Sequence, residues 1–142
     1  MTEFRLKNLL RLRGLQEQEA AGDLATANHS LTRVIERRAT IRAQLAGTST
    51  DLSGPGAIAA LSSTRAAAQS MLADLAAMHR AAELLVTDAS AAYRKARTET
   101  LSLEKLSERH EHQQAQERAA QEQAALDEIS LSRRPRRPGA LA

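Results

Sequence analysis

Apolar side chains recur at alternating intervals of three and four residues between Ala68 and Ala124, with no proline or glycine in between. Up to Leu106, only Glu99 interrupts this apolar series. The pattern repeats every 3.5 residues on average, which is typical of a coiled-coil helix, and it is too long for a helix of an ordinary globular domain. The positions are Ala68, Met71, Leu75, Met78, Ala82, Leu85, Ala89, Ala92, Ala96, Glu99, Leu103, Leu106, His110, Gln113, Glu117, Ala120 and Ala124.

The first part of the chain, residues 2–46, carries a second pattern of the same kind. Thr2 precedes a run of strong helix formers and is suited to cap the helix. Arg38 and Glu99 occupy core-type heptad positions, where a charged residue either fixes the register of two helices or turns its charge to the edge. The heptad positions of this helix are Leu6, Leu10, Arg13, Glu17, Ala20, Leu24, Ala27, Leu31, Val34, Arg38, Ile41 and Leu45.

A cluster of glycine, serine, threonine and proline at residues 47–56 separates the two helical patterns and predicts a short loop. The second helix is predicted from about residue 55 to residue 131, with Pro55 at its start. Two heptad helices joined by a short loop bury their apolar stripes by folding back on each other. The predicted fold class is all-α, a long antiparallel two-helix coiled-coil hairpin whose second helix is longer than the first.

The two predicted helices differ in length, so part of the second helix has no counterpart in the first. Folding about Leu52 places Leu45 near Leu61 and Leu6 near residues 96–99. The first helix then pairs with the second only as far as about Leu103, and the polar segment that follows has no partner within the chain. Residues 1–131 are expected to form one hairpin domain, and residues 132–142, with four arginines and two prolines, a basic disordered tail.

Composition argues against a compact globular domain and against catalysis. Aromatic residues make up only 1% of the 142 residues, and the chain contains no cysteine. The histidines lack metal-ligand spacing, and no glycine-rich phosphate loop or nucleophile motif occurs. We therefore expect no catalytic, metal or cofactor-binding residues, and no small-molecule substrate. No signal peptide and no apolar segment long enough to span a membrane is recognised.

Three stretches resemble the FliJ family of flagellar type III export proteins. They are Phe4-Arg-Leu-Lys-Asn-Leu-Leu-Arg-Leu-Arg13, Glu104-Lys-Leu-Ser-Glu-Arg109 and Glu122-Gln-Ala-Ala-Leu-Asp-Glu-Ile129. Chain length and the order of a short helix before a long one are also similar to that family. The chain departs from the family in its glycines at positions 14 and 22, its few aromatic residues and its Arg-Pro tail.

The resemblance implies a non-enzymatic central stalk. Such a protein binds inside the hexameric flagellar export ATPase through its terminal end and reaches the membrane export gate near its loop, so that it assists export of flagellar subunits. Export chaperones are further expected partners, nucleic acid is not, and the location is cytoplasmic, peripheral to the inner face of the cell membrane. The motif match places Arg5, Leu6, Leu9, Leu10, Arg13, Lys105, Leu106, Arg109, Leu126 and Asp127 at the ATPase end. No motif marks the gate end, where geometry places Ile41, Leu45, Met71 and Leu75.

Three other readings remain open from the sequence. The first is the equivalent stalk of a non-flagellar type III secretion system, which shares the hairpin but often differs in its opening leucine motif. A generic coiled-coil scaffold would form a parallel homodimer without any effect on an ATPase. A basic adaptor would contact membrane or nucleic acid through its arginine tail, with a steep dependence on salt.

Overall fold

Two α-helices account for the described secondary structure of the computed structural model, which describes residues 2–48 and 54–133, with side chains from residue 5 onwards. Helix α1 comprises Thr2–Ala46, and helix α2, the longer of the two, comprises Pro55–Ser132. The helices pack against each other, and no strand occurs within the described ranges. The predicted fold class is confirmed. Half of the predicted loop, residues 49–53, and nearly all of the predicted tail lie outside the described residues.

The helix ends next to the loop follow the local sequence. At the end of α1, the Gly47 backbone N–H donates to the carbonyl oxygen of Ala43 at 2.9 Å, which satisfies one of the last helical carbonyls. Gly54 has a φ of 115°, a left-handed conformation that glycine adopts without the steric cost of a side chain. Pro55 then opens α2, where its missing N–H costs no helical hydrogen bond.

The chain divides into two compact units, each of which contains part of both helices. The central unit is Arg11–Thr100, and the terminal unit contains the described residues of Met1–Leu10 and Leu101–Ala142. In the central unit the helices run antiparallel, because Arg13 contacts Glu99 while Ile41, further along α1, shares a groove with Met71. The most buried apolar residues, Ile41, Leu75 and Ala82, all belong to this unit.

The heptad prediction for α1 is confirmed along its described length. The predicted positions from Leu6 to Leu45 are all buried or half-buried, and the intervening residues are exposed with the exception of Gly14. This pattern shows that one face of α1 is covered throughout, as the apolar periodicity predicted.

For α2, half of the heptad prediction is confirmed and half is wrong. The positions at intervals of seven residues from Ala68 to His110 are buried or half-buried, whereas the last two of that row, Glu117 and Ala124, are exposed. In the alternate row, Met71, Met78 and Leu85 are exposed and only Glu99 is half-buried. The covered row lies one residue further along, at Leu72, His79, Val86, Tyr93, Thr100, Ser107 and Gln114. The apolar pattern does not distinguish between two neighbouring rows of residues on the helix surface. Which of the two rows is covered depends on the side of α2 against which α1 packs.

The predicted register between the helices is also wrong. Glu99 lies beside Arg13 and not beside Leu6, a shift of about two helical turns. Leu45 accordingly shares a groove with Thr64 and Ala68. The prediction assumed that the chain folds symmetrically about Leu52, whereas the first turns of α2 extend beyond the level at which α1 ends.

Candidate functional site

The first turns of α1 carry four of the residues predicted to contact an export ATPase. Leu6 and Leu10 are half-buried, because they occupy heptad positions on the covered face of α1. Arg5 is exposed, and Leu9 is 41% exposed. Within the terminal unit, Leu6 and Leu10 therefore serve packing, and Arg5 and Leu9 are the side chains that remain open to a partner.

A second group of predicted residues lies on one exposed face of α2 in the same unit. Lys105 and Arg109 are four residues apart and Leu106 lies between them, so the three side chains neighbour one another on the helix surface. All three are exposed, Leu106 by 51%. Arg109 also lines a shallow groove with His112 and Gln116. Glu108 lines the same groove, so this face combines charges of both signs with an uncovered leucine, which suits contact with another protein.

Leu126 and Asp127 do not belong to the same patch. They lie about 30 Å further along α2 than Leu106, because a helix rises 1.5 Å per residue. Leu126 is 58% exposed, and Ile129, which shares its helix face, is 48% exposed. The Gln123 side-chain amide donates a hydrogen bond of 3.0 Å to the Asp127 carboxylate. The structure thus offers two separate candidate surfaces on α2, where the sequence motifs suggested a single end.

The segment from residue 115 to residue 133 has no covered face. Every one of these residues is exposed, whereas His110 and Gln114, just before them, are half-buried and hydrogen-bonded to each other at 3.0 Å. An unpaired segment was expected to begin near Leu103, whereas half-buried residues continue as far as Gln114. The segment remains helical to Ser132 although nothing in the described chain packs on it.

Arg13, also predicted at the ATPase end, belongs to the central unit and is engaged within the chain. Its guanidinium donates to the Glu99 carboxylate at 2.5 Å and to the Gln16 side chain at 3.1 Å. Two residues away in α2, Arg97 donates to Glu17 at 3.2 Å. Any substitution at Arg13 therefore disturbs a helix–helix contact as well as a possible partner contact.

The two cross-helix ion pairs are specific to the observed register. On folding about Leu52, Arg13 and Glu17 would face Ala91 and Thr87, which carry no charge. Because Arg13, Glu99 and Arg97 are more than one third exposed, each pair stabilises the hairpin by only about 0.2–1 kcal/mol. Glu99 lies at the edge of the interface with its carboxylate on Arg13.

A buried threonine completes this polar layer. Thr100 is 4% exposed, the lowest value among the buried residues. Its hydroxyl lies 3.0 Å from the carbonyl oxygen of Ala96 and 3.4 Å from that of Arg13, on the opposite helix. The sequence analysis missed Thr100, since its position lies one residue beyond the predicted heptad row.

The predicted gate-end residues divide into core and surface. Ile41 and Leu75 are each 7% exposed, so they belong to the hairpin core and can reach a partner only through neighbouring side chains. Leu45 is half-buried and Met71 is 44% exposed. Ile41, Leu45 and Met71 line one shallow groove together with Ala68. The structure therefore brings three of the four together, with Met71 as the most accessible.

Several exposed apolar residues were not predicted as candidates. Ile35, Ile58 and Leu84 are 47%, 61% and 66% exposed. They lie off the heptad positions, and an apolar residue outside the periodic stripe was the signal that could have identified them. No group of histidine and acidic residues in the described ranges is arranged to hold a metal ion. Neither α1 nor α2, over its described residues, is long and apolar enough to cross a membrane.

Comparison with known proteins identifies the family. The family model described as Flagellar FliJ protein matches residues 2–139, nearly the whole chain. The comparison with curated proteins found no match, and neither did the comparison with solved structures. The match extends over both helices and includes all three stretches that resemble the family. The chain therefore belongs to the FliJ family, and it is a protein of flagellar export and flagellum biogenesis.

Proposed function

We propose that this protein is a central-stalk-like component of the flagellar type III export apparatus. Its terminal unit binds the ring of the hexameric export ATPase, and the loop-proximal part of the central unit contacts the membrane export gate. It assists the export of flagellar subunits without catalysing a reaction itself. Family membership supports the export role, and the surfaces described above support the division into two binding ends.

The observation that carries this proposal is the uncovered helix at residues 115–133. A polar helix without tertiary contacts is only marginally stable in water, because most helical stability in proteins comes from packing. The segment is rich in glutamine and glutamate, and Leu126 and Ile129 stand exposed on one of its faces. This composition suits a pore lined by polar side chains, in which charged contacts give specificity while the surface remains wet.

Exposed residues near the start of α1 also support the terminal unit as the part that binds the ATPase. Arg5 and Leu9 on α1, and Lys105, Leu106 and Arg109 on α2, are exposed residues of the terminal unit. Together they offer leucines for burial against a partner and positive charges to orient it. Such a mixed surface is typical of interfaces between proteins that assemble reversibly.

Within the central unit, the groove around Met71 is the proposed gate contact. Methionine is flexible and polarisable, so it adapts to an irregular apolar partner surface. Ile41 and Leu75 support this groove from the core, and Leu45 forms part of its wall. Export chaperones are proposed as additional partners. The proposed location is the cytoplasmic side of the cell membrane at the base of the flagellum, with peripheral attachment.

Deletion of residues 115–142 tests the stalk role. We expect the shortened protein to keep the helical circular dichroism of the paired helices, because the deleted segment contributes no packing to them. It should lose both binding to, and stimulation of, the flagellar export ATPase. The matched control is deletion of residues 134–142 alone, which removes the arginine-rich tail and leaves α2 intact.

Full stimulation of the ATPase by the protein lacking residues 115–142 would contradict the proposal and favour a scaffold role for the hairpin. If instead the control deletion already abolished stimulation, the tail and not the uncovered helix would be the binding element. Loss of activity in the longer deletion alone is the expected result.

A further inference from the structure

A groove of the central unit lies between the middle turns of the two helices and shares no residue with the surfaces proposed above. Its walls are residues 23–30 of α1 and residues 85–92 of α2, so each wall is about two helical turns long. Among the described residues that line it, the only charged groups are the carboxylates of Asp23 and Asp88. The other lining residues are Thr26, Ala27, Ser30, Leu85, Ala89 and Ala92.

The apolar surface of α2 at this groove is wider than the part that α1 covers. Val86, on the row that faces α1, is half-buried, whereas the adjacent Leu85 is 60% exposed. Ala92, seven residues further and on the same side of α2, is also exposed. A surface that covers this row removes apolar area from water, and the hydrophobic effect therefore favours its association with the groove.

The walls of the groove determine the form of its occupant. Both are α-helices, whose backbone N–H and carbonyl groups are bonded within the helix, so they offer no main-chain partners to an extended peptide. The lining has no aromatic residue, and grooves that bind polyproline segments are lined by aromatic residues. A segment that lies on this surface must satisfy its own backbone groups, as an α-helix does. Apolar residues of such a helix, three and four apart, would face Ala27, Leu85 and Ala89.

The charge of the groove favours a cationic helix. Arg13 contacts Glu99, and the two helices run antiparallel. Ten residues further along α1, Asp23 is therefore level with Ala89 and lies across the groove from Asp88. Both carboxylates are exposed, and neither forms an ion pair or a hydrogen bond with another described residue. Carboxylates on both walls attract positive residues on both sides of an apolar stripe.

The charges beyond the ends of the groove do not reverse this preference. At one end Glu19 and Lys95 are exposed and opposite in sign. At the other end Arg33 lines a separate groove together with Glu36. The lining itself therefore keeps its two negative charges.

We propose that this groove is a docking site for a cationic amphipathic helix of another protein. The apolar stripe of that helix covers Leu85, and its basic residues form ion pairs with Asp23 and Asp88. This inference goes beyond the proposed stalk function and does not depend on it, because the groove contains no residue of the ATPase or gate surfaces.

Fluorescence anisotropy of a labelled synthetic peptide tests the docking site on the full-length protein. The probe is a helical peptide of leucine and lysine, with leucines at intervals of three and four residues. A comparison peptide has glutamate in place of lysine. We expect the lysine peptide to bind and the glutamate peptide not to bind, because the carboxylates attract one and repel the other. Since α2 carries further acidic residues towards its end, variants of the groove locate the binding site.

Removal of the two carboxylates tests the charge contribution. Asp23→Asn/Asp88→Asn should weaken binding of the lysine peptide about tenfold at low salt. The difference should shrink at high salt, because exposed charges are screened. The matched control Glu36→Gln/Asp74→Asn removes one carboxylate from each helix about 20 Å nearer the loop, and it should bind like the unmodified protein.

Two adjacent leucines test the apolar contribution. Leu85→Gln should weaken binding about tenfold at low and at high salt, because less apolar area is buried. Leu84 is 66% exposed and does not line the groove, so Leu84→Gln should leave the affinity unchanged. Both side chains lie outside the core, and circular dichroism checks that both variants are folded.

Equal losses in the two members of either pair would overturn the inference, because binding would then follow net charge or general hydrophobicity and not this groove. Equal binding of the glutamate peptide would rule out a cationic partner. Self-association of the unmodified protein that Leu85→Gln abolishes, measured by analytical ultracentrifugation, would identify a second copy of the chain as the occupant, again contrary to the inference. None of these measurements involves the ATPase, so a negative result leaves the stalk proposal standing.

Discussion

Leu75 and Leu84 lie nine residues apart on α2 and differ only in how they are covered. Leu75 is 7% exposed in the core of the central unit, and Leu84 is 66% exposed. We expect Leu75→Ala to lower the free energy of unfolding by about 2–4 kcal/mol, since it removes buried methyl groups and leaves a cavity. Leu84→Ala should change it by less than about 0.5 kcal/mol. Urea unfolding followed by circular dichroism measures both, and similar values would contradict the assigned covered face.

At the scale of single residues, sequence predicted one row of the α2 interface and missed the other. Met71 and Leu72 are adjacent apolar residues, so the apolar pattern is equally consistent with covering either one. The structure covers Leu72 and leaves Met71 exposed. The choice depends on which side α1 occupies, and that information lies in the other helix. The candidate surface at Met71 was predicted as part of the gate end, but its exposure could be known only from the packed pair.

At the scale of helices, the kind of element was easier to predict than its alignment. The heptad pattern, the breaker residues and the unequal lengths indicated the two-helix hairpin. Register depends on pair contacts such as Arg13 with Glu99 and Glu17 with Arg97, and each is worth too little to be recognised in one sequence. The sequence also could not reveal how far α2 extends beyond α1 at the loop.

The register can be measured with spin labels, because the chain has no cysteine of its own. Thr26 and Asp88 line one groove, so labels at these two positions should lie within about 15 Å, given the spacing of packed helices. Labels at Thr26 and Met78 should be separated by about 15 Å more along the axis. Mixing two singly labelled proteins should give no coupling if the hairpin is intramolecular. A shorter distance for the second pair would restore the register expected from folding about Leu52.

For the molecule as a whole, the small core sets the thermal behaviour. Only Ile41, Leu75, Ala82 and Thr100 are buried among the described residues, and two of these have small side chains. An average globular chain of this length would unfold with an enthalpy of roughly 100 kcal/mol. We expect differential scanning calorimetry to give less than about half of that in a broad transition, because so little surface is removed from water. A sharp transition with the full enthalpy would mean that the free protein buries further surface by self-association.

The uncovered helix at residues 115–133 also affects how binding strength can be tuned. A helical segment without tertiary contacts is in equilibrium with coil. A partner that recognises the helix therefore binds with a free energy reduced by the cost of ordering the coil form. Each alanine in the segment favours the ordered form by about 1 kcal/mol relative to glycine. Affinity is therefore adjustable at positions that need not touch the partner at all. Those positions are the alanines at 115, 119, 120, 124 and 125.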